Sequence, residues 1–187
     1  RWFFELNLPN PHYWNQALVL RPRIGLDPDL LAEAVRQVWI HYPALGYRFS
    51  READGWIQNG KSEAAAEVFQ SVDLSGVQAT RSAERFEQEC RRWQASLHLG
   101  SGPLSRVVWF DPDEGGDLRI LIVIHHLVVD GVSWRILLDD LQTVYRQLAQ
   151  GEAAALPART SSFEQWSSRL QALAGSETES PEKAYWQ

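Results

Sequence analysis

Apolar residues recur with two different spacings along the 187-residue chain, which predicts a mixture of helices and strands. Helical spacing marks the segments 28–42, 83–97, 132–148 and 161–173. Runs of strand-forming residues occupy 14–24, 47–49, 56–57, 68–72, 104–110 and 118–124. Residues 64–67 also suit a helix. The mixed order predicts an α/β (α+β) fold in which helices pack on a sheet.

The most informative stretch is the apolar run at residues 120–124, which ends in His125 and His126 and is followed by Asp130 and Gly131. Such a run predicts a buried strand, delivered here by an antiparallel hairpin. Asp130 can cap the helix that follows. Because neighbouring residues of a strand point to opposite sides, we expect one histidine to face the interior and the other a cavity.

Two histidines followed by an aspartate are compatible with proton transfer, with metal binding and with a purely structural strand end. The imidazole has an unperturbed pKa of about 6.5, which suits acid and base catalysis near neutral pH. No metal is expected, because adjacent histidines on opposite sides of a strand are poorly placed to reach one ion and no third nitrogen or sulfur ligand lies nearby. The residue types alone leave a hydrogen-bonded structural histidine open.

The composition of the chain argues against several classes of binding partner and site. The net charge of -6 and the lack of basic clusters argue against nucleic-acid binding. Cys90 is the single cysteine, so the chain can form neither a disulfide framework nor a thiolate metal site, and a reducing cytoplasm fits. No stretch reaches the roughly twenty apolar residues of a membrane span, and the N-terminal residues do not read as a signal peptide. We therefore expect a cytoplasmic protein with no membrane partner.

Residues 125–131, HHLVVDG, resemble the HHxxxDG signature of the condensation-domain superfamily of nonribosomal peptide synthetases. The continuation at 133–141, SWRILLDDL, is more similar to the epimerization domains than to the condensation domains that form peptide bonds. Three further segments agree: 1–5 (RWFFE), 14–16 (WNQ) and 162–166 (SFEQW). The likeness spans nearly the whole chain.

The resemblance implies a chloramphenicol-acetyltransferase-like sandwich. In that family two such lobes form a V, with the active-site tunnel between them. Residues 1–187 would be the N-terminal lobe of a condensation or epimerization domain, and the second lobe would lie outside this sequence.

The resemblance also implies roles for individual residues. The second histidine of the motif, His126, is expected to face the tunnel and act as the catalytic residue. His125, Asp130 and Gly131 would support the loop, with Asp130 paired to an arginine. Four residues are candidate substrate contacts: Ser133, Trp134, Asn15 and Gln16. Each has a structural alternative: support of the first helical turn for the serine, core packing for the tryptophan, and strand-end hydrogen bonds for the two amides.

The activity implied is epimerization, from L to D, of the α-carbon of an aminoacyl or peptidyl thioester. The phosphopantetheine arm of a peptidyl carrier domain would present the substrate, with no cofactor bound directly. Other expected partners are the second lobe and adjacent synthetase domains. Epimerization domains carry a second acid/base candidate, a glutamate, in that lobe, and no EGHGRE-like segment occurs here. We therefore expect the chain alone to be nearly inactive.

Three other functions remain open. A condensation domain would use His126 to assist attack of an acceptor amine on a donor thioester. A free-standing acyltransferase would use the HxxxD residues with coenzyme A as donor. A non-catalytic lobe would bind a carrier domain without chemistry.

Overall fold

The computed structural model describes residues 2–53, 55–60, 65–76, 79–111 and 117–175. The helices are α1 (Trp2–Glu5), α2 (Pro28–His41), α3 (Ala65–Val68), α4 (Ala79–Gln94), α5 (Gly131–Ala149) and α6 (Phe163–Gly175). The strands are β1 (Asn15–Leu20), β2 (Tyr47–Glu52), β3 (Gly55–Gly60), β4 (Phe69–Asp73), β5 (Ser105–Asp111) and β6 (Arg119–His125). The chain divides into two units, Arg1–Leu156 and Pro157–Gln187.

The first unit contains a four-stranded mixed sheet in the order β1-β6-β5-β4. The central strand β6 runs antiparallel to both β1 and β5, whereas β4 is parallel to β5. The predicted mixed sheet and the antiparallel strand pair that delivers the motif are therefore confirmed. The loop at 112–116, which joins that pair, lies outside the described residues.

Both faces of β6 are covered, which explains its continuous apolar sequence. Ile122 and Ile124 pack in the cluster that contains apolar residues of α2 and α5. Leu121 points the other way and joins a cluster that includes Phe86 of α4. Helices thus cover the sheet on its two sides, as the predicted sandwich requires.

Helix α5 begins directly after the motif and is held against α2. The Asp130 side chain caps α5, and the Asp27 side chain caps α2 by accepting from the amides of Asp29 and Leu30. Tyr42 at the end of α2 donates a hydrogen bond to Asp140 of α5. These contacts fix the position of the helix that starts beside the two histidines.

Several boundaries differ from the sequence prediction. Strand β1 ends at Leu20 instead of residue 24, shortly before Pro22, whose nitrogen cannot donate to a ladder. Helix α4 lies about one turn nearer the N-terminus than residues 83–97, because the chain leaves the helix in a turn in which the Ser96 amide and hydroxyl bond to the carbonyl of Trp93. Both interpretations of 64–72 hold in part, since α3 is a single helical turn that leads into β4.

The predicted hairpin at 47–57 forms a separate two-stranded sheet of β2 and β3. In the second unit the predicted helix is α6, and the Ser162 hydroxyl caps it by accepting from the Gln165 amide at 3.1 Å. A last helical turn expected at Pro181 lies outside the described residues.

Candidate active site

The end of β6 sends its two histidines in opposite directions. The His125 amide donates to the carbonyl of Leu104 at 2.8 Å, and the His126 amide donates to the carbonyl of Trp14 on the other side at 2.8 Å. A turn follows at once, because the Val128 amide donates back to the carbonyl of His125 at 3.0 Å. The expected separation of the two rings is confirmed: His125 is fully buried and His126 is exposed.

The His125 ring supports the loop. Its Nδ1 accepts from the Leu127 amide at 3.2 Å, so Nε2 carries the proton and donates to the carbonyl of Pro11 at 2.8 Å. Phe3 lies edge-on to the ring, with 5.7 Å between centroids. Burial lowers the pKa of His125, and the nearby His12 and His126 add to this effect. A neutral ring with both nitrogens engaged is suited to structure, as the resemblance implies.

The His126 ring is arranged differently. Its Nδ1 lies 2.8 Å from the carbonyl of Val129, an acceptor, so Nδ1 carries the proton. The Nε2 atom lies 3.3 Å from the amide nitrogen of Gln16. With Nδ1 protonated, Nε2 of this exposed side chain carries a lone pair, which faces the Gln16 amide nitrogen. This is the form of imidazole that can accept a proton.

Gln16 connects this ring to Trp134, although 118 positions separate Gln16 from Trp134 in the sequence. Gln16 lies on β1 opposite Ile124 of β6, and Trp134 lies in the first turn of α5. The Trp134 indole nitrogen donates to the Gln16 carbonyl oxygen at 2.7 Å. Trp134 is also buried in the main core, so its structural alternative is confirmed alongside the new contact. Both residues are candidate substrate contacts in the sequence, but no local pattern indicates that they touch one another.

Asp130 caps α5, as the sequence predicts. Its exposed carboxylate accepts from the Ser133 amide at 2.7 Å and from the Ser133 hydroxyl at 2.6 Å. These bonds lower the pKa of Asp130. Within the part of the chain that the structure describes, no arginine pairs with it, so the expected ion pair stays a prediction. The carboxylate is not buried, and capping α5 satisfies it without a cation.

Ser133 and Asn15 follow their structural alternatives. Ser133 supports the first helical turn through Asp130. The Asn15 amide nitrogen donates to the carbonyls of Tyr13, at 2.8 Å, and Gln94, at 3.3 Å, which ties β1 to the end of α4. Gly131 is the exposed first residue of α5, and a Cβ there would meet open space. The fold itself therefore does not require glycine at this position.

His12 is a supporting residue that sequence analysis missed. Its Nδ1 accepts from the Leu99 amide at 3.1 Å, and its ring stacks on that of His98 with 4.1 Å between centroids. Burial, and then the nearby His98, lower the pKa of His12. The two histidines lie far apart in the sequence, so no local pattern could reveal the pair.

Other site chemistry finds little support in the described residues. These residues contain no group of three or more histidine, cysteine or acidic side chains that could hold a metal ion. Burial raises the pKa of the Cys90 thiol to about 11, which disfavours a reactive thiolate at neutral pH. Among the helices described, none is long and apolar enough to cross a membrane.

Comparison with known proteins decides the family. The family model described as "Condensation domain" matches residues 1–187. The chain belongs to the condensation-domain family. Its relatives in this family include a linear gramicidin synthase protein of Brevibacillus parabrevis, which is 44% identical over 186 residues. That alignment covers 99% of this chain and 2% of the relative, so the sequence corresponds to a small part of a very long protein.

Solved structures of condensation-family domains share the fold. The epimerization domain from the third module of tyrocidine synthetase B aligns with a TM-score of 0.87 and 36% identity, covering 99% of this chain and 42% of that one. The starter condensation domain of rhizomide synthetase aligns with a TM-score of 0.79 and 22% identity, covering 99% and 44%. The predicted chloramphenicol-acetyltransferase-like fold is therefore confirmed. The condensation-domain superfamily of nonribosomal peptide synthetases, to which the sequence motif pointed, is confirmed with it.

Proposed function

We propose that this chain carries one half of the active site of an amino-acid epimerization domain, which inverts the α-carbon of an aminoacyl or peptidyl thioester on a carrier domain. The observation that carries the proposal is the 36% identity to the tyrocidine synthetase epimerization domain across 99% of the chain. The rhizomide synthetase condensation domain, at 22% identity, supports the fold alone. The exposed His126 ring supplies the chemistry that epimerization needs.

The reaction requires removal of the α-hydrogen as a proton and its return to the opposite face. In this proposal His126 Nε2 forms a bond to the α-hydrogen, and the electron pair of the broken C–H bond moves into the thioester as an enolate. A donor on the other face then protonates the α-carbon. His126 is afterwards an imidazolium that returns its proton to solvent or acts as the acid in the reverse direction. His125 and Asp130 keep the loop in shape.

The proton on the opposite face has to come from a second group. Within hydrogen-bonding distance of His126 Nε2 the described structure places the Gln16 amide, which neither gives nor takes protons at neutral pH. The chain spans 42% of the tyrocidine synthetase epimerization structure. We propose that the second acid/base residue lies in a second lobe, across the tunnel from His126. The remaining partners in this proposal are a peptidyl carrier domain with its phosphopantetheine arm and adjacent synthetase domains, in the cytoplasm.

A second candidate is peptide-bond formation, favoured by the family match itself, whose description is "Condensation domain". His126 Nε2 would then accept a proton from the attacking amine. Both reactions use the same lone pair, so the geometry of His126 does not distinguish them. The difference lies in the product.

Product analysis on the full-length protein tests the proposal. Carrier domains are loaded with an L-aminoacyl thioester, and the released acid is examined for chirality while the carriers are examined for a new amide. Inversion without a new amide supports epimerization; a new amide with retained chirality supports condensation and contradicts our proposal. His126→Gln should abolish the reaction, and His41→Gln, at the last residue of α2, is the matched control. Turnover of coenzyme A thioesters without a carrier would favour a free-standing acyltransferase.

A further inference from the structure

We propose that Gln16 and Trp134 are positioning residues that hold His126 in its Nδ1-protonated form, with Nε2 unprotonated until the substrate reaches it. The inference rests on the proposed function in one respect: it takes proton acceptance as the task of His126. It assigns one joint role to two residues that sequence analysis could treat only as separate candidate substrate contacts.

The indole of Trp134 determines the orientation of the Gln16 amide. An indole nitrogen can donate a hydrogen bond but cannot accept one. Because the Trp134 nitrogen lies 2.7 Å from one end of the amide, that end must be the carbonyl oxygen. The amino end of Gln16 therefore faces His126. Trp134 is buried in the core at the first turn of α5, so packing holds its indole nitrogen in place.

The contacts of the His126 ring determine which of its nitrogens carries the proton. The amino group of Gln16 is a donor, so the His126 Nε2 atom, 3.3 Å away, has to be an acceptor. The Val129 carbonyl at 2.8 Å requires a donor at Nδ1. The two contacts select the same tautomer from opposite sides of the ring. A doubly protonated ring would place an N–H group against the amino group of Gln16, which is unfavourable.

The length of the Gln16 contact fits a temporary role. At 3.3 Å the nitrogen–nitrogen contact is longer than an ordinary hydrogen bond and is broken at little cost. The α-hydrogen of a substrate would take the place of the amino group when it reaches Nε2. Gln16 would thus donate to the Nε2 lone pair between catalytic cycles. The shorter bond to Trp134 prevents the amide group from rotating by 180°.

Two charged or titratable groups act on His126 from neighbouring positions. His125 lies behind it on β6, and the Asp130 carboxylate lies at the start of α5. The charge of a carboxylate does not by itself select one of the two ring nitrogens. The amino group of Gln16 does, because it faces Nε2.

Two substitutions in the full-length protein separate this role from simple packing. Trp134→Phe keeps an aromatic ring in the core but removes the indole donor, so the Gln16 amide can turn its oxygen toward His126. Gln16→Glu keeps the bond to Trp134 and places a carboxylate oxygen at Nε2. Both changes favour protonation of His126. Trp39→Phe is the matched control, because it removes an indole bond of 2.6 Å to Ser105 in the same core.

The first readout is the pH dependence of α-hydrogen exchange on a carrier-bound aminoacyl thioester. Trp134→Phe should move the acid limb of the profile to higher pH by about one unit. At pH values on the acid side of this limb, the rate should therefore be about tenfold lower than in the wild type. Gln16→Glu should move it further in the same direction. Trp39→Phe should leave the limb in place.

The second readout needs no turnover. Diethyl pyrocarbonate modifies unprotonated histidine, and mass spectrometry of the peptide that contains His126 gives its modification rate at each pH. We expect the same upward shifts in this profile. If the wild type catalyses no exchange, the proposed function fails, while the modification profiles still decide the inference. Unchanged modification profiles in both variants would overturn it. If Trp134→Phe does not fold, Gln16→Glu alone decides by the same criterion.

Discussion

His125 and His126 are identical side chains joined by one peptide bond, and the fold gives them opposite properties. His125 is 0% exposed, carries its proton on Nε2 and has both nitrogens engaged by backbone groups. His126 is exposed, carries its proton on Nδ1 and presents Nε2 to a side-chain amide. Strand alternation separates the rings, and their hydrogen-bond partners then choose the tautomer. The role of a histidine here follows from its neighbours and not from its residue type.

The largest expected difference between the two is in activity. His126→Ala should lower the rate of epimerization by a factor of about 10²–10⁴, because it removes the proton acceptor. The free energy of local unfolding should fall by only about 1 kcal/mol, since the ring is exposed and the change removes its hydrogen bond to the Val129 carbonyl. Turnover on loaded carriers, with hydrogen exchange of β6 as the measure of stability, checks both. Wild-type turnover in this variant would revive the non-catalytic interpretation.

The opposite result is expected for His125→Ala. Loss of the buried ring leaves a cavity and removes the partners of the Pro11 carbonyl and the Leu127 amide. The free energy of local unfolding should fall by about 2–4 kcal/mol. Hydrogen exchange of β6 amides in the full-length protein measures it. If His125→Ala and His126→Ala cost the same stability, the contrast between the two rings is wrong.

The cap of α5 should matter less. Asp130→Ala removes the acceptor for the Ser133 amide and should cost about 1 kcal/mol of local stability. Asp130→Asn keeps an oxygen at that position and should retain most of it. Exchange of the amides in the first turn of α5 reports the difference. An equal loss in both variants would mean that the charge, through a cation, matters more than the cap.

His125, which is buried, and His12, which is half-buried, should also make stability depend on pH. The pKa values of His125 and His12 are both lowered in the folded state, chiefly by burial. Below pH about 6.5 the unfolded chain therefore binds more protons than the folded chain, so the free energy of unfolding decreases as the pH falls. We expect β6 to open at lower urea concentration at pH 5.5 than at pH 7.5.

Samples equilibrated at the two pH values and then given a short deuterium pulse at one common pH report this urea midpoint. His125→Asn should reduce the difference between the urea midpoints at the two pH values. Equal midpoints in the wild type, or a higher midpoint at pH 5.5, would contradict the neutral assignment of the buried rings.

The smallest effect on stability is expected at Gly131. Gly131→Ala meets open space and replaces the weakest helix former except proline, so the stability of α5 should be unchanged or slightly higher. If the substrate arm passes this residue, the KM for a loaded carrier should rise while α5 remains intact. An unchanged KM would show that Gly131 has no part in substrate approach.

The sequence predicted those parts of the fold that rest on strong local patterns. The run at 120–124 identified β6, and Asp130 before a long apolar stripe identified α5 with its cap. The alternation along β6 also predicted that the two histidines diverge. These predictions succeeded because each depends on residues within a few positions of one another.

The remainder depends on tertiary contacts. The bond between Trp134 and Gln16 joins α5 to β1, and the contact of Gln16 with His126 forms because β1 pairs with β6 in one particular register. Neither sequence spacing nor residue type encodes that register. The arginine expected beside Asp130 stays a prediction, because the bonds that the described residues give to this carboxylate come from the hydroxyl and amide of Ser133.

The most direct test of the central claim is single-turnover incorporation of deuterium from D₂O into the α-position of a carrier-bound L-aminoacyl thioester, measured with the wild type, His126→Gln and Gln165→Ala. The exposed Gln165 side chain, on α6, serves as the control. We expect rapid incorporation in the wild type and the control, and a loss of at least about 100-fold in His126→Gln. Incorporation at the wild-type rate in His126→Gln would show that this imidazole does not move the α-proton.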